Sequence, residues 1–199
     1  MDARISKAAL RGRLREARRA HVAQIPERVR ALLFARPPRA IEALVAPGAT
    51  IGVYAATREE APANGYARWF FDAGHAVALP WFADRAAAME FRRWDNPHDP
   101  ELLETGPWGV AQPPAGSTRV EPGVVFVPLV GFTAVGGRLG MGAGHYDRWL
   151  AAHPSVPAIG LAWDGQELET LPLEPHDRPL AAVITPSRLF GPFATGADR

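Results

Sequence analysis

Apolar positions recur along this chain in two rhythms. Near the N-terminus Ile5, Ala9, Leu10, Leu14, Ala17 and His21 follow a three- and four-residue spacing with arginine and lysine between them. That is the pattern of an amphipathic helix, and it ends before Pro26. Lys7, Arg11 and Arg15 form an i, i+4 stripe on it. A second helix is predicted over 27–34, stopped by Pro37-Pro38, and a short third one over 39–45. From residue 50 the rhythm changes. Residues 50–55 read as a strand, 65–72 as a helix closed by Gly74, and 75–79 as a strand capped by Pro80, which together make a βαβ unit with parallel, right-handed pairing. Residues 89–94 alternate like a half-exposed strand. Residues 96–123 form a proline- and glycine-rich connection with little regular structure, carrying Trp108, Gln112 and Pro113-Pro114; segments of that length in a small domain are often lids or binding loops. Strand 124–130, helix 146–152 and strand 158–162 give a second βαβ unit, and 181–185 closes the core as the last strand. The expected fold class is α/β: a mostly parallel open sheet flanked by helices, built from βαβ units, with an N-terminal helical arm.

Composition narrows this picture. A chain of 199 residues, 47% hydrophobic and 22% charged, suits one well-cored domain over 1–199, with 1–45 a basic helical arm packing on the α/β core. The absence of cysteine excludes a disulfide framework and a thiolate metal site. Asp2, Arg4 and Lys7 precede any apolar run, and the longest such run, 124–130, is broken by Pro128 and far too short to span a membrane. A cytoplasmic, monomeric enzyme with no membrane partner is expected. Net charge is only +1, yet residues 1–39 hold eleven Lys or Arg against three Asp or Glu, leaving the remainder net negative. Such an arm suits a ligand with several negative charges or is simply a solvated face. Nucleic acid is not the expected partner, since no recognised RNA- or DNA-binding motif accompanies the charge.

The densest chemical signal is the stretch 136–148, Gly-Gly-Arg-Leu-Gly-Met-Gly-Ala-Gly-His-Tyr-Asp-Arg. Gly136, Gly137, Gly140, Gly142 and Gly144 leave backbone N–H groups free to point at an anion, and Arg138 and Arg148 bring positive charge. The order strand, glycine loop, helix places the loop at a helix N-terminus, where phosphate is favoured. A plain surface loop would have the same composition. The Walker pattern fails because Ala143 follows Gly142, and the G-x-G-x-x-G fingerprint fails because its third glycine falls one position early, at Gly144. A looser G-x-x-x-G-x-G fits Gly136, Gly140 and Gly142, as in short-chain dehydrogenases. Those enzymes also need a Tyr-x-x-x-Lys pair, and the single lysine here is Lys7. That lysine stands out among twenty-one arginines, as a compact ammonium suited to a point contact with phosphate. Glu59 and Glu60 leave the first strand at its carboxyl end, where ligands of α/β sheets bind; exposed carboxylates are the commoner reading of such a pair.

Several separated segments together resemble the 5-formyltetrahydrofolate cyclo-ligase family, also called methenyltetrahydrofolate synthetase. They are Lys7-x-x-Leu10-Arg11, residues 54–60, Met89-x-Phe91, Pro128-Leu-Val-Gly-Phe132, residues 137–148, and Gly160 through Gln166 to His176-Asp177 and Thr185. The resemblance implies ATP-dependent closure of 5-formyltetrahydrofolate to 5,10-methenyltetrahydrofolate with release of ADP and phosphate. In the family's proposed mechanism the formyl oxygen attacks the γ-phosphate, and N10 then closes onto the activated carbon. Carried over position by position, Lys7, Arg11, Arg138, Leu139, Gly140, Met141, Gly142, Ala143, Gly144, His145 and Tyr146 hold ATP, with Lys7, Arg138 and Tyr146 as catalytic residues. Asp147 and Asp177 face Mg²⁺. Ala55, Glu60, Met141 and His145 hold the folate, Glu60 reading the pterin. Three positions depart from the commonest family pattern: Thr133 where an Asp often follows the Phe, Ala143 where Gly or Lys is usual, and His145 where an aromatic, most often Tyr, is usual. Gln112 replaces the more usual Glu of a Glu-Pro pair. The alternative expectation is a catalytically impaired homologue that binds folate or nucleotide without turnover.

Overall fold

In the computed structural model, residues 6–30, 32–172, 174 and 177–193 are described. Helix α1 (Lys7–Ala23) starts where the Ser6 hydroxyl accepts the Ala9 N–H at 3.2 Å, a standard N-cap; Ile5, at the head of the predicted stretch, lies outside the described residues. The helix buries Leu10, Leu14, Arg18 and Val22; Leu10 and Leu14 belong to the predicted apolar face, whereas Ala9 and Ala17 of that face are exposed and Arg18 and Val22 turn inward instead. Helices α2 (Glu27–Arg30) and α3 (Arg39–Glu42) are shorter than expected. Phe34 takes φ 56°, a left-handed conformation through which no α-helix continues, and α3 gives way to turns after a single helical turn.

Strand β1 (Ile51–Gly52) leads through α4 (Asn64–Asp72) to β2 (Val77–Trp81), and β3 (Glu90–Trp94) returns antiparallel beside it. Pro80 does not cap β2 as expected but lies inside it, opposite Phe91 of β3. The β1–β2 register ends at Gly52 and Ala78, so no neighbour on that side needs the N–H that proline lacks. The connection 96–123 is also more ordered than predicted: β4 (Glu104–Thr105) and β5 (Ala111–Gln112) form a small antiparallel hairpin.

Beyond β6 (Val124–Pro128) the chain does not enter the glycine loop directly. It first makes a hairpin of β7 (Gly131–Thr133) and β8 (Arg138–Leu139). Gly136 and Gly137 belong to that hairpin's turn. Gly136 N–H donates to the Thr133 carbonyl at 3.0 Å, Gly137 N–H donates to Thr133 Oγ1 at 3.0 Å, and Gly136 has φ 88° with the Leu180 carbonyl 2.9 Å from where a Cβ would sit. Their N–H groups are therefore spent on the turn, which corrects the expectation that all five glycines serve an anion. The loop proper is 140–144, followed by α5 (His145–Ala152), β9 (Ala158–Leu161), β10 (Glu167–Leu168) and β11 (Ala182–Ile184). Strand β11 is not the last, since β12 (Leu189–Phe190) adds an antiparallel edge.

Among the described residues, a seven-stranded sheet runs in the order β12-β11-β9-β6-β1-β2-β3, with the five inner strands parallel. The fold is α/β with a mostly parallel open sheet, as the βαβ pattern predicted. The crossover from β1 moves one way along the sheet and that from β6 the other, so right-handed connections send α4 and α5 to opposite faces. Alternation along β6 feeds both layers. Val124 and Phe126 pack with Tyr66 and Phe70 of α4, while Val125 and Val127 pack with Trp149 and Leu150 of α5. Burying a side chain of this size contributes about 1.5–3 kcal/mol. Leu10 and Leu14 of α1 join Val130 and Leu139 in a third cluster, which fixes α1 beside the β7–β8 hairpin. Among the described residues no helix is long and apolar enough to cross a membrane.

Candidate active site

Adjacent strands β1 and β6 connect in opposite directions, so a crevice opens beyond their carboxyl ends, the usual ligand position in such sheets. A cavity of about 740 Å³ lies there, bordered by Tyr54, Ala55 and Glu60 after β1, Pro128 at the end of β6, the whole of 138–148, and Lys7 and Arg11 of α1.

One wall is built for an anion. Gly142 (φ 113°) and Gly144 (φ 68°) hold backbone that L side chains rarely adopt, and Gly144 caps α5 in a left-handed conformation. Among the described residues, the N–H groups of Met141, Gly142, Ala143 and Gly144 donate to no protein acceptor, and those of the first turn of α5 are free as in any helix. Arg138 is buried beside them. One guanidinium nitrogen, Nη2, donates to Asp147 Oδ1, whereas its Nε has no partner among the described residues. Lys7 reaches the cavity from the first turn of α1, its Nζ 2.5 Å from Glu174 Oε2 and 2.7 Å from Asp177 Oδ2. Burial pulls the ammonium pKa down, but the two carboxylates outweigh that and leave it raised. Arg11 Nε donates to the Gly140 carbonyl at 2.9 Å.

Another part of the lining is aromatic with one carboxylate. Glu60 is buried, and its Oε2 accepts the Thr57 N–H at 2.8 Å. Glu59 instead sits outside the cavity, 3.6 Å from Arg19 Nε, so the fold separates two neighbours that the sequence left equivalent. Phe82, Trp108 and His145 form an edge-to-face cluster with ring centroids 4.8–6.2 Å apart. His145 Nδ1 lies 3.1 Å from Arg148 Nη2. An arginine nitrogen only donates, so Nδ1 accepts and the proton of the neutral ring sits on Nε2, which is buried without a partner among the described residues. Burial and the Arg148 charge together lower the His145 pKa. The Tyr146 hydroxyl is likewise buried and without a partner among the described residues, and burial, then the Glu60 charge, push its pKa far up. It is a neutral hydrogen-bonding group at neutral pH.

A model of the 5-formyltetrahydrofolate cyclo-ligase family matches residues 3–186. The chain belongs to that family. A 5-formyltetrahydrofolate cyclo-ligase from Mycolicibacterium smegmatis is 30% identical over 188 residues, covering 92% of this chain and 95% of that protein. One from Escherichia coli K12 is 48% identical over 69 residues, a stretch that covers 34% of this chain and 38% of that protein. The NMR structure of Aquifex aeolicus 5,10-methenyltetrahydrofolate synthetase superposes with a TM-score of 0.68 at 24% identity, over 94% of this chain and 92% of that one, which shows a shared fold.

Every residue named as a candidate from the cyclo-ligase pattern borders the one cavity: Lys7, Arg11, Ala55, Glu60, residues 138–147 and Asp177. His176 lies outside the described residues. The fold adds Phe82, Met89, Trp108 and Gln112 to the lining; Trp108 and Gln112 were signalled by the long connection that carries them and Met89 by the Met89-x-Phe91 segment, while Phe82 had no sequence signal. Gln112 explains its own identity. Its Oε1 accepts the Phe82 N–H and its Nε2 donates to the Phe82 carbonyl, both at 3.2 Å, a double role that a carboxylate cannot fill. That pair ties the β4–β5 hairpin to the end of β2 and holds Trp108 against His145. Thr133 does not line the cavity; its hydroxyl secures the β7–β8 turn. Among the described residues there is no cluster of three or more His, Cys, Asp or Glu able to hold a metal. Asp147 and Asp177 are two single carboxylates on the cavity wall, a donor set that suits Mg²⁺, which typically takes one or two carboxylates and completes its shell with water and phosphate oxygens.

Proposed function

We propose that this chain is an ATP-dependent 5-formyltetrahydrofolate cyclo-ligase, converting 5-formyltetrahydrofolate and ATP to 5,10-methenyltetrahydrofolate, ADP and phosphate. The observation that carries the reading is the meeting of two unlike linings in one cavity. Unpartnered loop N–H groups with Lys7 and Arg138 share it with an aromatic cluster and the buried Glu60. The first suits a polyphosphate and the second a flat, hydrogen-bonding heterocycle.

The residues divide accordingly. The N–H groups of 141–144 and the N-terminus of α5 receive the phosphates, and Lys7 exchanges one of its two carboxylates for phosphate oxygen. Arg138, held in place by Asp147, offers its unpartnered Nε to charge that develops on the transferred group. Glu60 accepts from the amino-pyrimidine edge of the pterin, and Phe82, Trp108 and His145 exclude water and stack on the folate. Mg²⁺ held near Asp147 and Asp177 would neutralise phosphate charge. Tyr146 donates its hydroxyl hydrogen rather than acting as a base, because its pKa lies far above neutrality. A spectrophotometric assay for the methenyl product, with and without ATP and Mg²⁺, tests the reading. Product formation only with both is expected, and folate binding without product would assign the chain to the impaired homologues.

A further inference from the structure

The i, i+4 stripe on α1 ends in Arg15, which borders no part of the cavity. Its Nη2 nevertheless donates to the Met141 carbonyl at 2.6 Å, one peptide unit along from the Gly140 carbonyl that Arg11 Nε holds at 2.9 Å. Two consecutive peptide planes of the glycine loop are thus pinned to α1 by their oxygens. In a planar trans peptide the C=O and the following N–H point in opposite directions, so pinning the oxygens of Gly140 and Met141 turns the N–H groups of Met141 and Gly142 away from α1. Those are two of the donors that find no protein acceptor among the described residues. Gly142, at φ 113°, has no side chain to lock the same plane by packing, so the plane must be fixed from outside. The Arg11 guanidinium, 3.6 Å from where a Gly142 Cβ would sit, supports it from the same side.

We infer that Arg15 is a positioning residue for the nucleotide: together with Arg11 it holds the peptide planes of 140–142 in the orientation that presents two N–H donors to phosphate, without touching the ligand. This rests on the reading of 140–144 as the phosphate site and deepens it. A loop left free to rotate its peptides would bind phosphate after paying an ordering cost that the clamp removes beforehand. The stripe therefore has two duties, with Lys7 reaching ligand and Arg15 acting through backbone.

The test is steady-state kinetics on Arg15→Ala, Arg15→Met and Arg15→Lys, with Gly142→Val as a reference. Losing one charge-assisted bond that orients a donor should raise the ATP KM roughly tenfold in the Ala and Met variants, with folate KM and melting temperature unchanged. Lysine keeps one cationic donor within reach of one carbonyl and should restore most of the loss. An unchanged ATP KM in Arg15→Ala, a parallel rise for folate, or no rescue by lysine would overturn the inference. The reference separates the phosphate site from the role of Arg15. Gly142→Val that still binds ATP as wild type removes the phosphate site itself, whereas its loss of ATP binding alongside a normal Arg15→Ala removes only the role of Arg15.

Discussion

Arg138 at the start of β8 and Asp147 in the first turn of α5, nine positions apart, form an ion pair in which the guanidinium is almost wholly buried and the carboxylate is 25% exposed. The pair ties the hairpin to the helix across the glycine loop, so the loop is anchored at both ends by one contact. The carboxylate is also placed favourably for the α5 dipole.

Asp147→Asn should therefore act twice. Loss of a charge-assisted bond to a buried guanidinium should lower stability by about 1.5–3 kcal/mol, read by denaturant unfolding. Turnover should fall and the Mg²⁺ concentration for half-maximal rate should rise, since a hard cation prefers an anionic oxygen. A variant that loses stability but keeps wild-type metal dependence would confine Asp147 to the loop anchor.

Glu60→Gln keeps an oxygen for the Thr57 N–H and so should fold normally. It removes the charge from the bond proposed to the pterin, worth about ten- to a hundredfold in affinity. Folate titration should show that loss while ATP affinity stays unchanged. Equal loss of both ligands, or of neither, would remove Glu60 from pterin recognition.

Lys7→Ala should raise the ATP KM and depress turnover with little change for folate. Lys7→Arg should rescue only partly, because a planar fork replaces a rotatable ammonium that meets two carboxylates at 2.5 and 2.7 Å. Full wild-type kinetics in the arginine variant would place Lys7 outside the nucleotide site.

His145 has a folded-state pKa below its ordinary 6.5, by burial and the Arg148 charge. Below pH 6.5 the unfolded chain therefore binds more protons than the folded one at this position, and the stability contributed by His145 falls as pH falls through that value and on to the folded pKa. Compared with His145→Phe, the wild type should lose melting temperature more steeply between pH 7 and 5. Parallel pH profiles for the two proteins would show that the ring does not titrate differently on folding.

Much of this architecture is written locally. The helical spacing of Leu10 and Leu14, the apolar stretch 124–130 and the glycines before His145 each determine an element through contacts within a few residues, and periodicity detects such contacts. The α/β class and the position of α5 behind a glycine loop follow from that level alone. Short-range signals also misled where two elements shared them. Gly136 and Gly137 look like Gly140 and Gly142 in composition, and only the pairing of β7 with β8 commits the first two to a turn. The lining of the cavity was assembled by contacts between residues far apart along the chain. Arg11 meets Gly140 across 129 positions and Lys7 meets Glu174 across 167. Whether Glu59 or Glu60 faces the cavity depends on the path of the loop after β1, and the place of Phe82 on a hairpin-braced wall depends on Gln112. No window of sequence contains both partners of any long-range contact. The stripe Lys7, Arg11, Arg15 was visible as charge, but which carbonyl or carboxylate each cation serves was decided only when Leu10 and Leu14 seated α1 against Val130 and Leu139.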